Sequence, residues 1–200
     1  MRNYIRTAVF SFVLYVGLTG SATATSLGLI TTDPTIEASL AFIDYLEFGG
    51  DGDLSTFGAE VDFVDGVSPV GITEISFGIG YSLANPTDDA NGGFDIFDQN
   101  GLFLIGNLFR IGFLEDIIEL QFNNLAGSAA GDFGSSVLAL VTFDNPLGPN
   151  PFVSLVDGNS YTASISISRV AATIPLPASL PLMLIGLGAL GFMLRRHRTD

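Results

Sequence analysis

Most of this 200-residue chain lacks the side chains that usually carry chemistry in proteins. Between residues 25 and 173 there is no histidine, cysteine, lysine or tryptophan, and the only histidine is His197. Histidine normally transfers protons near neutral pH, because its unperturbed pKa lies there. Nucleophilic triads, Schiff-base lysines and metal sites that need histidine or cysteine are therefore excluded from this region. We expect a protein that is not an enzyme.

Carboxylates are the reactive groups that remain. A pair of them can hydrolyse glycosides. Among twenty acids in residues 25–172 some close pair is inevitable, so a close pair would be weak evidence for a glycosidase. Calcium binding fits better, because Ca²⁺ prefers hard oxygen ligands. Asp51 and Asp53 begin a segment spaced like an EF-hand loop, although its sixth-position glycine and terminal glutamate are missing. Asp88 and Asp89 lie in a second acidic segment. The two segments are interpreted as a candidate calcium site, with simple solvated turns as the alternative. No other cofactor is expected.

The negative charge is concentrated in the same region. Residues 25–172 contain twenty of the 21 acids and two of the seven arginines, which gives a net charge of −18. Such a field repels phosphates, so we expect no nucleic-acid partner. Carbohydrate binding is an alternative for a β-rich module, although the missing tryptophan removes the aromatic ring best suited to stack on sugars.

Residues 1–24 have the features of a secretory signal peptide. Two arginines precede a short apolar run, and Ala22 and Ala24 supply the small residues of a cleavage site before Thr25. The alternative is an uncleaved anchor, for which the apolar run is short. We therefore expect the mature protein to leave the cytoplasm.

Residues 25–172 predict one acidic, strand-rich exported domain. Alternating apolar and polar residues predict strands near 36–42, 60–64, 75–83, 109–113, 118–122, 133–143 and 161–167. Glycine, proline and acidic residues predict loops at 49–53, 85–93 and 145–151. A helix is the alternative at 33–43 and at 102–122, although Gly101, Gly106 and Gly112 disfavour it at the second segment. Several short strands separated by turns predict an all-β fold, an antiparallel β-sandwich or jelly roll.

Residues 173–200 combine prolines, an apolar segment and a basic cluster. Residues 176–194 would span about 28 Å as a helix, close to the apolar thickness of a bilayer, but two prolines shorten its regular part. Arg195, Arg196 and Arg198 would keep the C-terminus in the cytoplasm. The segment is interpreted as a transmembrane sorting helix, with an ordinary tail anchor as the alternative.

The same segment resembles a known export signal. Pro175, Leu176, Pro177 and Ala178, followed by the apolar segment and an Arg-Arg-His-Arg cluster, resemble the VPLPA-CTERM variant of PEP-CTERM sorting domains. Ile174 stands where that variant has valine. The resemblance implies an exosortase, a membrane-embedded enzyme of Gram-negative bacteria that recognises and cleaves such tails. It also implies an association with exopolysaccharide and biofilm.

These observations predict a non-enzymatic cell-surface or extracellular-matrix protein that is exported across the inner membrane. The protein would be anchored transiently in that membrane, cleaved by the exosortase and then found at the cell surface or outside the cell. Its expected partners are the exosortase, the inner membrane before processing and exopolysaccharide. The alternative is a calcium- or glycan-binding β-sandwich module.

Overall fold

The computed structural model describes residues 26–171, which form nine strands and two short helices. The strands are β1 (Thr31–Phe48), β2 (Asp51–Glu60), β3 (Phe63–Asp65), β4 (Glu74–Ser82), β5 (Ala90–Asp98), β6 (Gly101–Leu114), β7 (Ile117–Ala126), β8 (Ser136–Phe143) and β9 (Ser160–Val170). Helix α1 (Ala130–Phe133) lies between β7 and β8, and helix α2 (Pro151–Ser154) lies between β8 and β9.

Eight of these strands form a closed antiparallel barrel in the order β1-β2-β4-β5-β6-β7-β8-β9. Strand β1 closes it, because its first part pairs with β9 while Asp44–Phe48 pair with β2. Strand β3 follows β2 along the same edge of β1, where it pairs with Thr35–Glu37. The all-β antiparallel prediction is confirmed, but the sheet is not a sandwich or jelly roll. Strand β1 forms hydrogen bonds with both β2 and β9, so the eight-stranded sheet has no unpaired edge strand, and within residues 26–171 no second sheet packs against it.

The barrel interior is filled with apolar side chains. Ile75, Phe77, Ile79 and Tyr81 of β4 all point inward, as their alternation predicted. The other strands contribute a similar inward row, which includes Ile36, Ile43, Phe94, Ile96, Leu104, Leu120, Phe122, Val141, Ile165 and Ile167. An eight-stranded barrel is just wide enough for side chains to fill it. The interior is therefore the hydrophobic core.

Each end of the barrel is covered by one of the short helices. We call the end where β1 begins and β9 ends the terminal end, and the end with the Gly49–Gly50 turn the distal end. At the terminal end, helix α1 buries Phe133 completely. At the distal end, helix α2 inserts Phe152, whose ring centroid lies 4.9 Å from that of Tyr81. Both ends are therefore closed by aromatic side chains.

Several predicted loops are shorter than expected. Only Gly49 and Gly50 connect β1 to β2, and their φ angles of 62° and 105° suit a two-residue hairpin turn. Asp51 and Asp53 therefore lie within β2, and residues 90–93 lie within β5. Cross-strand hydrogen bonds extend the strands through residues with low intrinsic strand propensity.

The predicted hairpin over residues 102–122 is confirmed, because Glu115 and Asp116 form the turn between β6 and β7. Residues 33–43 belong to β1 and form no helix. Phe133 belongs to helix α1, so the strand that was predicted from residue 133 begins at Ser136.

Candidate functional site

The predicted sorting and cleavage residues lie outside the described residues 26–171. They are the motif residues Pro175, Leu176, Pro177 and Ala178, the basic residues Arg195, Arg196 and Arg198, and the signal-cleavage residues Ala22 and Ala24. The structure does show where the sorting segment joins the barrel. Thr31 pairs with Val170, and the Ala171 N–H donates a hydrogen bond of 2.8 Å to the Ile30 carbonyl. The sorting segment therefore leaves the barrel at its terminal end.

A groove of about 490 Å³ lies beside this junction. Its walls include Phe133 of α1, Leu29, Gln121 of β7 and Ala171, which directly follows β9. Arg169 also lines it, and its guanidinium Nη1 donates to the Asp132 carbonyl at 3.4 Å. The groove thus places one of the two arginines of residues 26–171 next to the start of the sorting segment.

The residues before β1 lie against the outside of the barrel. In this N-terminal segment (residues 26–30), the Ser26 hydroxyl donates to Glu119 Oε1 at 2.8 Å, and the Leu27 N–H donates to Glu119 Oε2. Glu119 and Gln121 face outward from β7, yet each is only 9% exposed. Sequence reasoning missed Glu119, because strand alternation predicts that an outward-facing glutamate is solvated.

The four aspartates considered for calcium all lie at the distal end. Asp51 and Asp53 share the outward face of β2, and Asp88 and Asp89 lie in the loop between β4 and β5. That loop is held beside the Gly49–Gly50 turn, because the Leu83 N–H donates to the Gly50 carbonyl at 2.9 Å. Within residues 26–171, however, no three acidic or histidine side chains form a group that could hold a metal ion.

A pair of buried tyrosines lies beneath these aspartates. The Tyr45 hydroxyl donates to Glu47 Oε1 at 2.8 Å, and burial, followed by this contact, raises the pKa of Tyr45 to about 12. Burial also raises the pKa of Tyr81 strongly, and its hydroxyl is buried beside Tyr45 without a hydrogen bond of normal geometry. Both phenols remain protonated at neutral pH. They pack in the core and offer no nucleophile.

Several carboxylates stabilise loops by accepting backbone hydrogen bonds. Asp116 Oδ1 accepts from the Leu147 and Gly148 N–H groups at 2.7 and 3.1 Å. Asp157 Oδ1 accepts from the Glu47 N–H at 2.8 Å. These acids have structural partners, which explains part of the high acid content without a catalytic role.

The C-terminal part of the chain is similar to a known protein family. Residues 173–198 match the PEP-CTERM protein-sorting motif. The match covers the resemblance seen in the sequence and is consistent with a PEP-CTERM protein, without specifying the VPLPA variant. It implies an exported protein with an exosortase as its processing partner. No curated protein and no solved structure matches the chain.

The PEP-CTERM motif begins only three residues after Val170, where β9 ends. Within residues 26–171, neither helix is long and apolar enough to cross a membrane. The transmembrane helix that the sequence predicts lies outside the described residues.

Proposed function

We propose that this protein is a non-enzymatic cell-surface or extracellular-matrix protein that an exosortase cleaves within its sorting motif. The match of residues 173–198 to the PEP-CTERM motif carries this proposal. The residue types between 25 and 173 support a non-catalytic role, because histidine, cysteine and lysine are absent there.

The junction between barrel and motif supports a defined orientation before cleavage. Two residues separate Val170 from the first matched residue, so the barrel stands within about 10 Å of the motif even if the chain is extended. A membrane-held tail would keep the terminal end toward the inner membrane. The distal end and the outer faces of the strands would then point away from it, and cleavage would release the whole barrel.

We propose that matrix polysaccharide contacts the outer faces of the strands. The interior is occupied by core side chains, so a ligand would meet the outside of the barrel. Phe42 of β1 and Phe57 of β2 project from this outside with 61% and 80% of their surfaces exposed. Flat aromatic rings of this kind can pack against the apolar faces of sugar rings.

Processing can be tested in the native host with and without its exosortase. We expect mass spectrometry to find a C-terminus within the Pro-Leu-Pro-Ala segment in the parent strain and an intact tail in the deletion strain. A variant with Pro175 and Pro177 replaced by alanine should keep its tail in both strains. An intact tail in both strains for the unaltered protein would refute the sorting proposal.

Calcium binding at the distal end is a second candidate function, although no three carboxylates of residues 26–171 are already grouped to hold the ion. The observation in its favour is that Asp51, Asp53, Asp88 and Asp89 all lie at one end of the barrel, where the Gly50–Leu83 hydrogen bond holds their segments together. Calcium should then raise Tm relative to chelator. The double substitution of Asp51 and Asp53 by asparagine should abolish the increase, whereas Asp132→Asn at the terminal end should preserve it. Identical melting curves with calcium and chelator would eliminate this candidate.

A further inference from the structure

Glu119 is a buried carboxylate on the outside of the barrel. It lies near the distal end of β7, and the N-terminal segment covers it. Its two hydrogen bonds come from the Ser26 hydroxyl and the Leu27 N–H, which are both neutral donors. A carboxylate withdrawn from water is costly unless hydrogen bonds and a positive charge compensate it. The two donors supply hydrogen bonds but no charge.

The neighbouring strands place no cation directly opposite Glu119. Its partners in the ladder are Gly112 of β6 and Leu140 of β8. Arg110 is two residues away along β6, where it pairs with Gln121, and its guanidinium carbon lies 5.0 Å above the Phe109 ring. The acids of the adjoining turn, Glu115 and Asp116, add only negative charge.

Signal-peptide removal would create a cation at this point. Hydrolysis of the Ala24–Thr25 peptide bond consumes one water, leaves a carboxylate on Ala24 and gives Thr25 a free α-amino group, which is protonated at neutral pH. Thr25 directly precedes Ser26. Only two residues of chain join its nitrogen to the Leu27 N–H that contacts the carboxylate, and two residues span at most about 7 Å.

We propose that Glu119 is the binding site for the new α-ammonium group of Thr25, so that signal-peptide removal stabilises the exported barrel. The inference rests on the proposed export of the protein. Before cleavage the Thr25 nitrogen is a neutral amide. After cleavage it is a charged donor beside a poorly hydrated carboxylate, and charge-assisted hydrogen bonds of this kind are about twice as strong as neutral ones.

The stabilisation of the barrel by the Thr25 ammonium group can be measured with the full chain. The chain is exported in a Gram-negative host that has no exosortase, so that it keeps its tail. Every variant is purified in the same detergent. Gly-Ser-Gly inserted between Ala24 and Thr25 preserves the cleavage residues but moves the ammonium group about 10 Å along the chain. This insertion is combined with Glu119 or with Glu119→Gln, which retains an acceptor for Leu27.

We expect the insertion to lower Tm by about 3 °C in the Glu119 chain, because the loss of one charge-assisted hydrogen bond shifts Tm by a few degrees in a domain of this size. In the Glu119→Gln chain it should have no effect. An unchanged Tm on insertion in the Glu119 chain, or equal decreases in both backgrounds, would overturn the proposal.

Dependence on pH provides a second measurement that does not need the Glu119 substitution. Pairing raises the pKa of the α-amino group above its usual value of about 7.7–8.0, so its stabilisation is present below that range and lost as pH rises through the raised pKa. The Tm difference between native and inserted chains should therefore be large at pH 6.5 and small above pH 9.5. Arg110, Glu115 and Asp116 are the other charged groups near Glu119, and they are the same in both chains. A constant difference would contradict the ion pair.

Mass spectrometry of the N-terminus separates this inference from the export proposal. A chain that retains residues 1–24 shows that export processing fails. A chain that begins at Thr25 but shows no coupling to Glu119 leaves the export proposal intact and refutes only the ion pair.

Discussion

Individual carboxylates in this acidic barrel have opposite effects on stability, according to their surroundings. Asp62 lies in the open, and a hydrogen bond from the Ser39 N–H holds the pKa of its carboxyl below the ordinary value. Asp95 on β5 is partly buried, and desolvation raises the pKa of its carboxyl. One group favours the folded state when ionised, and the other disfavours it.

We predict opposite effects when each of these carboxylates is neutralised. Ionised Asp62 contributes stability above its unfolded pKa of about 3.8–3.9, and this stability is lost as pH falls through its lower folded pKa. Asp62→Asn should therefore lower Tm at pH 7, and the decrease should shrink as pH falls below the unfolded pKa. Asp95→Asn should raise Tm at pH 7, and this increase should also disappear in acid. Equal signs for the two substitutions at pH 7, measured by circular dichroism, would contradict this reasoning.

Neighbouring glycines on β4 and β5 have different steric constraints. Gly92 has a φ of 137°, and a Cβ there would lie 2.1 Å from the Gly78 carbonyl oxygen. A Cβ on Gly78 itself would meet no atom within 4 Å. The close approach of the two strands therefore depends on Gly92 and makes no such demand on Gly78.

Gly92→Ala should lower the free energy of unfolding by about 2–4 kcal/mol, because it adds both a steric clash and an unfavourable φ. Gly78→Ala is the matched control and should be neutral or slightly stabilising, because alanine loses less backbone entropy on folding than glycine. Urea denaturation of both variants tests this, and a Gly78→Ala variant as unstable as Gly92→Ala would refute it.

The stability of the whole barrel depends on the aromatic side chains that cover its ends. At the distal end, the Phe152 ring lies 4.9 Å from Tyr81 and 5.7 Å from Phe113 in edge-on arrangements. Helix α2 positions it, and Asn150 caps that helix by accepting a hydrogen bond from the Phe152 N–H at 3.1 Å. Four residues of helix thus complete the core at the distal end.

Phe152→Ala should lower the free energy of unfolding by about 3–5 kcal/mol, because it removes a buried ring and leaves a cavity at the distal end. Phe48→Ala, at the end of β1, is the control and should have little effect, because Phe48 is 67% exposed. Equal losses on denaturation would show that Phe152 is not part of the core.

The sorting motif and most strands of this protein can be recognised in its sequence, because each depends on residues that are close together in the chain. The Pro-Leu-Pro-Ala segment and the alternation in β4 and β9 are patterns of this local kind. The exclusion of histidine and cysteine chemistry likewise needs only the composition.

The remaining features of the protein could not be predicted from local patterns, because they depend on contacts between residues that are far apart in the chain. Closure into a barrel requires β1 to reach both β2 and β9, and no local pattern specifies that pairing. Asp51 and Asp53 become strand residues because β1 and β4 flank them. Glu119 is buried because Ser26 and Leu27, more than ninety residues earlier in the chain, fold across it. Alternation assigns Glu119 to the outer face of β7, and only the packing of the N-terminal segment removes that face from water.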